Sequence, residues 1–143
     1  MLTFHIPGPP PTATSQQKGV RVIHGKPTFF KRAHVAQAEH DMATAFAPYR
    51  PAAPLAGPLA VSIVLVWPFR KADKPPAFGV VAMDTRPDLD NLAKLILDGM
   101  TKLGFWQDDS QISQLMMSKY RGHAPGITVL VECMTKHNAG GAA

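Results

Sequence analysis

The spacing of apolar positions along the chain changes from a period of two to a period near 3.6 and back again. Residues 2–6 alternate apolar and polar side chains, which predicts a first β-strand. Two short apolar runs at 20–23 and 28–30 lie on either side of a turn at 24–27 that contains Gly and Pro. This arrangement predicts a β-hairpin.

Two later segments have helical spacing. Val35, Met42 and Phe46 predict a helix over 31–47, which the prolines that follow would end. A second and stronger helix is predicted over 89–103. Its apolar stripe consists of Leu89, Leu92, Ile96, Met100 and Leu103.

Three further strands are predicted after the first helix. Residues 59–67 are apolar on both faces, which predicts a central strand covered on each side. Strands at 112–121 and 127–133 follow the second helix, whereas 68–87 has no clear periodicity and is interpreted as a long loop.

This order of elements predicts an α+β fold, in which two main helices pack on a mixed β-sheet. At 143 residues and 45% hydrophobic content, the chain fits one domain, predicted over 1–135. Residues 136–143 are predicted to be a disordered tail.

The charge balance suggests the kind of partner. A formal net charge of +5 favours an acidic partner, of which nucleic acid is the commonest and a membrane surface the second. No signal peptide is visible and no apolar run is long enough to cross a bilayer, so we expect a cytoplasmic protein without a membrane partner. Cys133 is the single cysteine and excludes an internal disulfide; its apolar surroundings predict a buried thiol.

The acidic residues are distributed unevenly. Five of the ten lie between Arg86 and Ser110. Pro87 favours a helix start at or just after Asp88, with Asp90 in the first turn. The two carboxylates can converge if Asp88 stays outside the helix, although aspartates are also favoured at helix starts for capping alone.

The polar face of the second helix continues the charged pattern. Lys94 and Asp98 follow Asp90 at four-residue intervals, so the three share one side of the helix. A solvated face with ion pairs between successive turns is the alternative interpretation.

Asp108 and Asp109 come after the predicted helix end at Gly104. The chain reverses there, and its return can bring one of these carboxylates beside Asp88 and Asp90. Adjacent aspartates in a loop are also an ordinary turn signal.

Convergent carboxylates suit Mg²⁺, which takes hard oxygen ligands and keeps several waters. Such an ion can activate water and offset negative charge on a phosphate under attack, and the Lys94 ammonium can assist. Zinc is disfavoured, because the six histidines show no close ligand pairing. No nucleotide-binding motif is present, so we expect no nucleotide cofactor.

The segment from Arg86 to Lys119 resembles the RusA family of Holliday-junction resolvases. The similarity is carried by Asp88-Leu89-Asp90-Asn91-Leu92, by Lys94 and Asp98, and by Gly104-Phe105-Trp106 followed by Asp108-Asp109-Ser110-Gln111. The resemblance implies a homodimeric endodeoxyribonuclease that depends on Mg²⁺, with Mn²⁺ as a substitute. It would cut four-way DNA junctions symmetrically, in recombination and repair.

The same resemblance implies roles for individual residues. Asp88, Asp90 and Asp109 would bind the metal, and Lys94 would be the catalytic or phosphate-contacting lysine. Asp98 and Asp108 match the motif without an assigned role. Basic residues outside the motif are candidate DNA contacts: Arg70, Lys71, Lys74, Arg86, Lys119 and Arg121, and further Lys18, Arg21, Lys26, Lys31 and Arg32.

Two alternative functions stay open at this point. A DNA-binding module without catalysis would fit the basic charge, and its aspartates would be dispensable. A nuclease for other branched DNA, such as flaps or replication forks, would share the metal site and differ in substrate preference.

Overall fold

A computed structural model of the chain describes residues 1–14, 18–31 and 33–135. The described residues form seven strands: β1 Leu2–Pro7, β2 Lys18–Ile23, β3 Lys26–Lys31, β4 Leu59–Pro68, β5 Val80–Ala82, β6 Ile112–Gly122 and β7 Gly126–Cys133. They also form two α-helices, α1 Ala33–Phe46 and α2 Leu89–Leu103. The α+β class is confirmed, and the predicted tail at 136–143 lies outside the described residues.

Five strands form one mixed sheet in the order β1-β7-β4-β6-β5, and the hairpin β2-β3 forms a separate two-stranded sheet. The pair β4-β6 is parallel, whereas the other pairs are antiparallel. Parallel neighbours require a crossover connection. Here that crossover contains α2, so it places this helix against one face of the sheet.

The boundaries of α2 follow from its flanking residues. Asp88 is extended, with φ −75° and ψ 145°, and precedes the first helical residue. Gly104 ends the helix in the left-handed region, with φ 86°, and its N–H donates to the Met100 and Thr101 carbonyls. A residue with a side chain would be strained in that conformation. The predicted helix at 89–103 is therefore confirmed.

The hydrophobic core lies between the helices and one face of the sheet. Val61, Ile63 and Leu65 of β4 are buried there against Leu92 and Ile96 of α2. Phe105 and Trp106, just after α2, are also buried. The Trp106 indole N–H donates to Thr101 Oγ1 at 2.7 Å, so the chain is attached to the last turn of α2 as it leaves the helix.

Two expectations about burial are wrong. Buried and more exposed residues alternate along β4, because both helices pack on the same side of the sheet and leave the other side uncovered. On that uncovered side Val64 is 38% exposed, and Met116 of β6 is 69% exposed. We call this second side the open face. Cys133 is exposed rather than buried, since it lies at the end of the edge-proximal strand β7.

The loop predicted over 68–87 contains one element that the pattern did not indicate. Its residues 80–82 form β5, a three-residue edge strand antiparallel to the end of β6. Within the described part of the chain, no helix is long and apolar enough to span a membrane.

Candidate functional site

The start of α2 presents two carboxylates to solvent. Asp88 occupies the N-cap position, yet its side chain makes no capping hydrogen bond; its carbonyl oxygen accepts the Leu92 N–H at 3.0 Å. Asp90 follows in the first turn and is exposed. The capping interpretation is therefore wrong for the Asp88 side chain, which leaves its carboxylate available to a ligand.

Lys94 and Asp98 continue along the same helix. The Lys94 Nζ lies 3.6 Å from Asp98 Oδ2, and the two side chains are 59% and 42% exposed. An exposed ion pair of this kind contributes little to stability. Asp98 is therefore a partner of Lys94, and a stronger acceptor such as a phosphate can compete for the lysine at small cost.

Asp108 and Asp109 have different surroundings although they are adjacent. The Asp108 carboxylate accepts the Ser110 N–H at 2.9 Å and forms a capping box with Gln111 around the 3₁₀ turn Asp109–Gln111. The hydrogen bond from the Ser110 backbone lowers the pKa of Asp108 below its ordinary value. Both residues are exposed, and Asp108 is in addition part of the turn's hydrogen bonding.

Gln111 holds this turn in place, a role that sequence reasoning missed. Its Oε1 accepts the backbone N–H groups of Gln107 at 3.0 Å and Asp108 at 3.1 Å. Its Nε2 donates to the carbonyls of Leu55 and Gly57, each at 3.0 Å. Four hydrogen bonds use the whole capacity of the amide's two N–H groups and two lone pairs.

The turn with Asp109 lies at the opposite end of α2 from Asp88 and Asp90. The helix has 15 residues and spans about 22 Å at 1.5 Å per residue. The chain before the turn is bonded to the last helical turn through Trp106 and Thr101. Among the described residues, no set of three His, Cys, Asp or Glu side chains is grouped closely enough to hold a metal. The expected return of Asp109 to the helix start therefore does not occur within this chain.

Asp73, in the basic segment after β4, contacts two of the arginines predicted to bind DNA. Asp73 accepts the Arg70 N–H at 2.7 Å and the Arg70 Nη2 at 2.9 Å, and lies 3.9 Å from Arg121 Nε. The side-chain hydrogen bond from Arg70 lowers the pKa of Asp73, and the same bond raises the pKa of Arg70. Arg121 also donates to the Pro68 carbonyl at 3.0 Å. Both arginines thus have protein partners, and their DNA contacts stay a prediction.

The remaining predicted DNA contacts differ in their surroundings. Lys71, Lys74 and Arg86 are exposed, as a phosphate contact requires. The Lys119 Nζ donates to the carbonyls of Thr85 at 2.6 Å and Pro87 at 2.9 Å. In the hairpin, Arg21 and Lys26 are exposed. Arg32 lies outside the described residues, and Lys18 and Lys31 are placed only by their strands.

The donor set at the start of α2 fits magnesium. Asp88 and Asp90 supply hard oxygen ligands, and the Asp88 side chain makes no capping hydrogen bond. Mg²⁺ is commonly held by one or two carboxylates together with substrate phosphates and waters. Two carboxylates on this chain are therefore sufficient to begin such a site.

The fold and the site together define a class: an α+β protein with an acidic site at a helix start inside a basic chain, suited to phosphate chemistry. The family described as endodeoxyribonuclease RusA matches residues 7–132. The crossover junction endodeoxyribonuclease rusA of Lactococcus phage r1t is 31% identical over 108 residues, which cover 74% of this chain and 78% of that protein. The uncharacterized protein YqaN of Bacillus subtilis (strain 168) is 27% identical over 90 residues, which cover 58% of this chain and 63% of that protein. The matched region thus spans a little under two thirds of the Bacillus protein. The chain belongs to the RusA endodeoxyribonuclease family.

Proposed function

We propose that this protein is a Mg²⁺-dependent endodeoxyribonuclease that resolves four-way DNA junctions in recombination and repair. The observation that carries the proposal is the pair Asp88 and Asp90 at the start of α2, in a chain whose family and phage relative are endodeoxyribonucleases. Mn²⁺ is a proposed substitute for the metal, and a cytoplasmic location stays a prediction from the sequence.

The chemistry follows from the residues around the helix start. A bound Mg²⁺ would supply Lewis acidity and an activated water. Asp88 and Asp90 would hold it with hard oxygen ligands, and the positive charge of the ion would offset the negative charge of both the carboxylates and the scissile phosphate. Lys94, one turn further along, would leave its exposed partner Asp98 and stabilise the charge that develops on the phosphate.

A homodimer is the second part of the proposal. Two matched cuts in opposed strands need two active sites, which a two-fold dimer supplies. The open face is a suitable contact surface, because it carries exposed apolar side chains at Val64, Met116 and Val80. A Cβ on Gly122 would meet Val66 and Val80, so this glycine lets the apolar side chains of neighbouring strands close over it.

Dimerisation also offers a role for the remaining predicted ligand. Asp109 lies about one helix length from Asp88 in its own chain. We propose that Asp109 of the partner subunit reaches the metal held by Asp88 and Asp90. Each metal site would then be complete only in the dimer, because a single chain lacks the third carboxylate.

Cleavage of synthetic junctions tests the proposal. The protein is incubated with a four-way junction, a flap, a fork and a linear duplex, each with Mg²⁺ or with EDTA. We expect paired symmetric nicks in the junction with Mg²⁺ alone. Preferential cutting of flaps or forks would favour a nuclease for other branched DNA, and tight junction binding without cutting under any condition would favour a non-catalytic module.

The variant Asp90→Asn refines this test. It should bind the junction at least as well as the wild type, because one negative charge near the DNA phosphate is removed. Its cutting should fall by more than the roughly 10- to 100-fold that the loss of a partner orienting a metal ligand costs, because a ligand itself is gone. Asp41→Asn is the matched control, since Asp41 lies on the exposed side of α1 and its carboxylate contacts Gln37. Its cutting rate should equal that of the wild type.

A further inference from the structure

Lys119 lies on β6 at a position whose side chain faces the helices rather than the open face. It is paired with Leu65 of β4, which is fully buried, and residues paired across neighbouring strands point to the same side of a sheet. An ammonium group on the core side of a sheet needs acceptors close by, because burial disfavours an unpaired charge. The half-buried Lys119 finds them in the carbonyls of Thr85 and Pro87, at 2.6 Å and 2.9 Å.

Both carbonyls belong to residues 83–88, the short connection between β5 and α2. The same connection makes a third bond to Lys119, since the Met83 N–H donates to the Lys119 carbonyl at 3.2 Å. Three hydrogen bonds therefore join one residue of β6 to the segment that ends at Asp88. The Asp88 side chain makes no capping bond of its own, so the path of this connection determines where its carboxylate lies.

A lysine in this place could act in two different ways, which have different consequences. If its Nζ neutralised a DNA phosphate, its removal would weaken the salt dependence of DNA binding. The slope of log binding constant against log salt concentration would change by about 0.9 for one phosphate contact. If it holds the connection, its removal would disturb Asp88 and Asp90 and leave the salt dependence unchanged. Two of its three N–H groups are already bonded to carbonyls, which favours the second role.

We propose that Lys119 is a positioning residue, which holds the 83–88 connection against β6 and so sets where the Asp88 and Asp90 carboxylates meet the metal ion. This inference rests on the proposed metal-dependent cleavage. Partners that orient metal ligands typically change metal affinity by roughly 10- to 100-fold when they are removed. We expect an effect in that range at Lys119.

The test compares Lys119→Met, which has a similar length but no donor, with Lys119→Arg, which keeps the charge and the N–H donors. Lys102→Met is the control, because Lys102 is an exposed lysine in the last turn of α2, at the other end of the helix from residues 83–88. Three quantities are measured for each protein: Mn²⁺ affinity by calorimetry without DNA, amide hydrogen exchange of residues 83–92 without metal, and the salt slope of junction binding in EDTA.

For Lys119→Met we expect Mn²⁺ affinity to fall roughly 10- to 100-fold, exchange at 83–92 to quicken and the salt slope to stay unchanged. Lys119→Arg should recover most of the affinity, and Lys102→Met should leave affinity, exchange and the salt slope as in the wild type. A Lys119→Met protein with wild-type Mn²⁺ affinity and exchange, and a slope reduced by about 0.9, would overturn the inference. If Lys119→Met does not fold, Lys119→Gln is taken through the same three measurements and judged by the same outcomes.

The failure of this inference can be distinguished from failure of the proposed function. A wild-type protein that neither binds Mn²⁺ nor cuts junctions would overturn the proposed function. A wild-type protein that does both, while the Lys119 variants match it in metal affinity and exchange, would overturn the positioning role alone.

Discussion

Replacing Gln111 by Ala should destabilise the protein more than its surface position suggests. The Gln111 amide joins two backbone segments that are far apart in the sequence, because it accepts from Gln107 and Asp108 and donates to Leu55 and Gly57. Alanine removes all four hydrogen bonds in one step. The turn that carries Asp109 then loses its side-chain hydrogen bonds to the Leu55 and Gly57 carbonyls, whereas the bond from the Leu55 N–H to the Phe105 carbonyl remains.

The expected magnitude follows from the number of bonds and their exposure. A hydrogen bond contributes about 0.5–1.5 kcal/mol net, but backbone groups at the surface regain water when their partner is removed. We therefore expect a loss of about 2–3 kcal/mol in the free energy of unfolding. With an unfolding entropy of about 2.1 cal/mol/K per residue over 143 residues, this corresponds to a fall in Tm of roughly 7–10 °C.

Thermal and urea unfolding of three variants measures this effect. Gln107→Ala is the control: it has the same residue type four positions away, its side chain is exposed, and it should change Tm by no more than about 2 °C. Gln111→Glu keeps the two acceptor bonds but loses both donor bonds, and should fall at least as far as Gln111→Ala since its carboxylate faces two carbonyls. Equal Tm values for Gln111→Ala and Gln107→Ala would refute the reasoning.

Three further predictions concern acid stability, the core and the dimer. The pKa of Asp73 is lowered in the folded state, so its ion pair stabilises the protein at pH values above the pKa of an unfolded Asp, about 3.9. This stabilisation is lost as the pH falls through the folded-state pKa. Asp73→Asn should therefore lower the urea midpoint at pH 7, and the difference from the wild type should shrink below about pH 4. Thr101→Val should lower the free energy of unfolding by about 1–3 kcal/mol, because it leaves the buried Trp106 indole N–H without its acceptor, whereas Thr101→Ser should largely retain stability in the same melt. Mixing inactive Asp90→Asn with inactive Asp109→Asn under conditions of subunit exchange should restore junction nicking if each metal site is shared between subunits; no recovery in verified heterodimers would exclude the shared site.

The fold was largely predictable where one periodicity dominates a segment. The helix at 89–103 was predicted at its observed bounds, because an uninterrupted apolar stripe lies between Pro87 and Gly104. Strand β5 was missed, since three residues are too few to show a period and its pairing depends on β6. Coverage of β4 was misjudged because apolar side chains on both faces do not reveal that both helices pack on the same side.

The sequence indicated candidate site residues, whose role stays a prediction, but it did not indicate their geometry. The charge pattern and the motif indicated Asp88, Asp90 and Lys94. The position of Asp109 depends on the length of α2 and on where its exit is attached, which no local pattern shows. Gln111 and Lys119 act through backbone carbonyls distant in the sequence, so no pairing of side-chain types marks their roles.

The most direct test of the central claim is the cleavage of a synthetic four-way junction by the wild type and by Asp90→Asn, with Mg²⁺ and with EDTA. The proposed function predicts paired symmetric nicks by the wild type with Mg²⁺, no nicks with EDTA, and junction binding without nicks by Asp90→Asn. Junction cleavage by the wild type that persists in EDTA, or that Asp90→Asn retains in full, would contradict it.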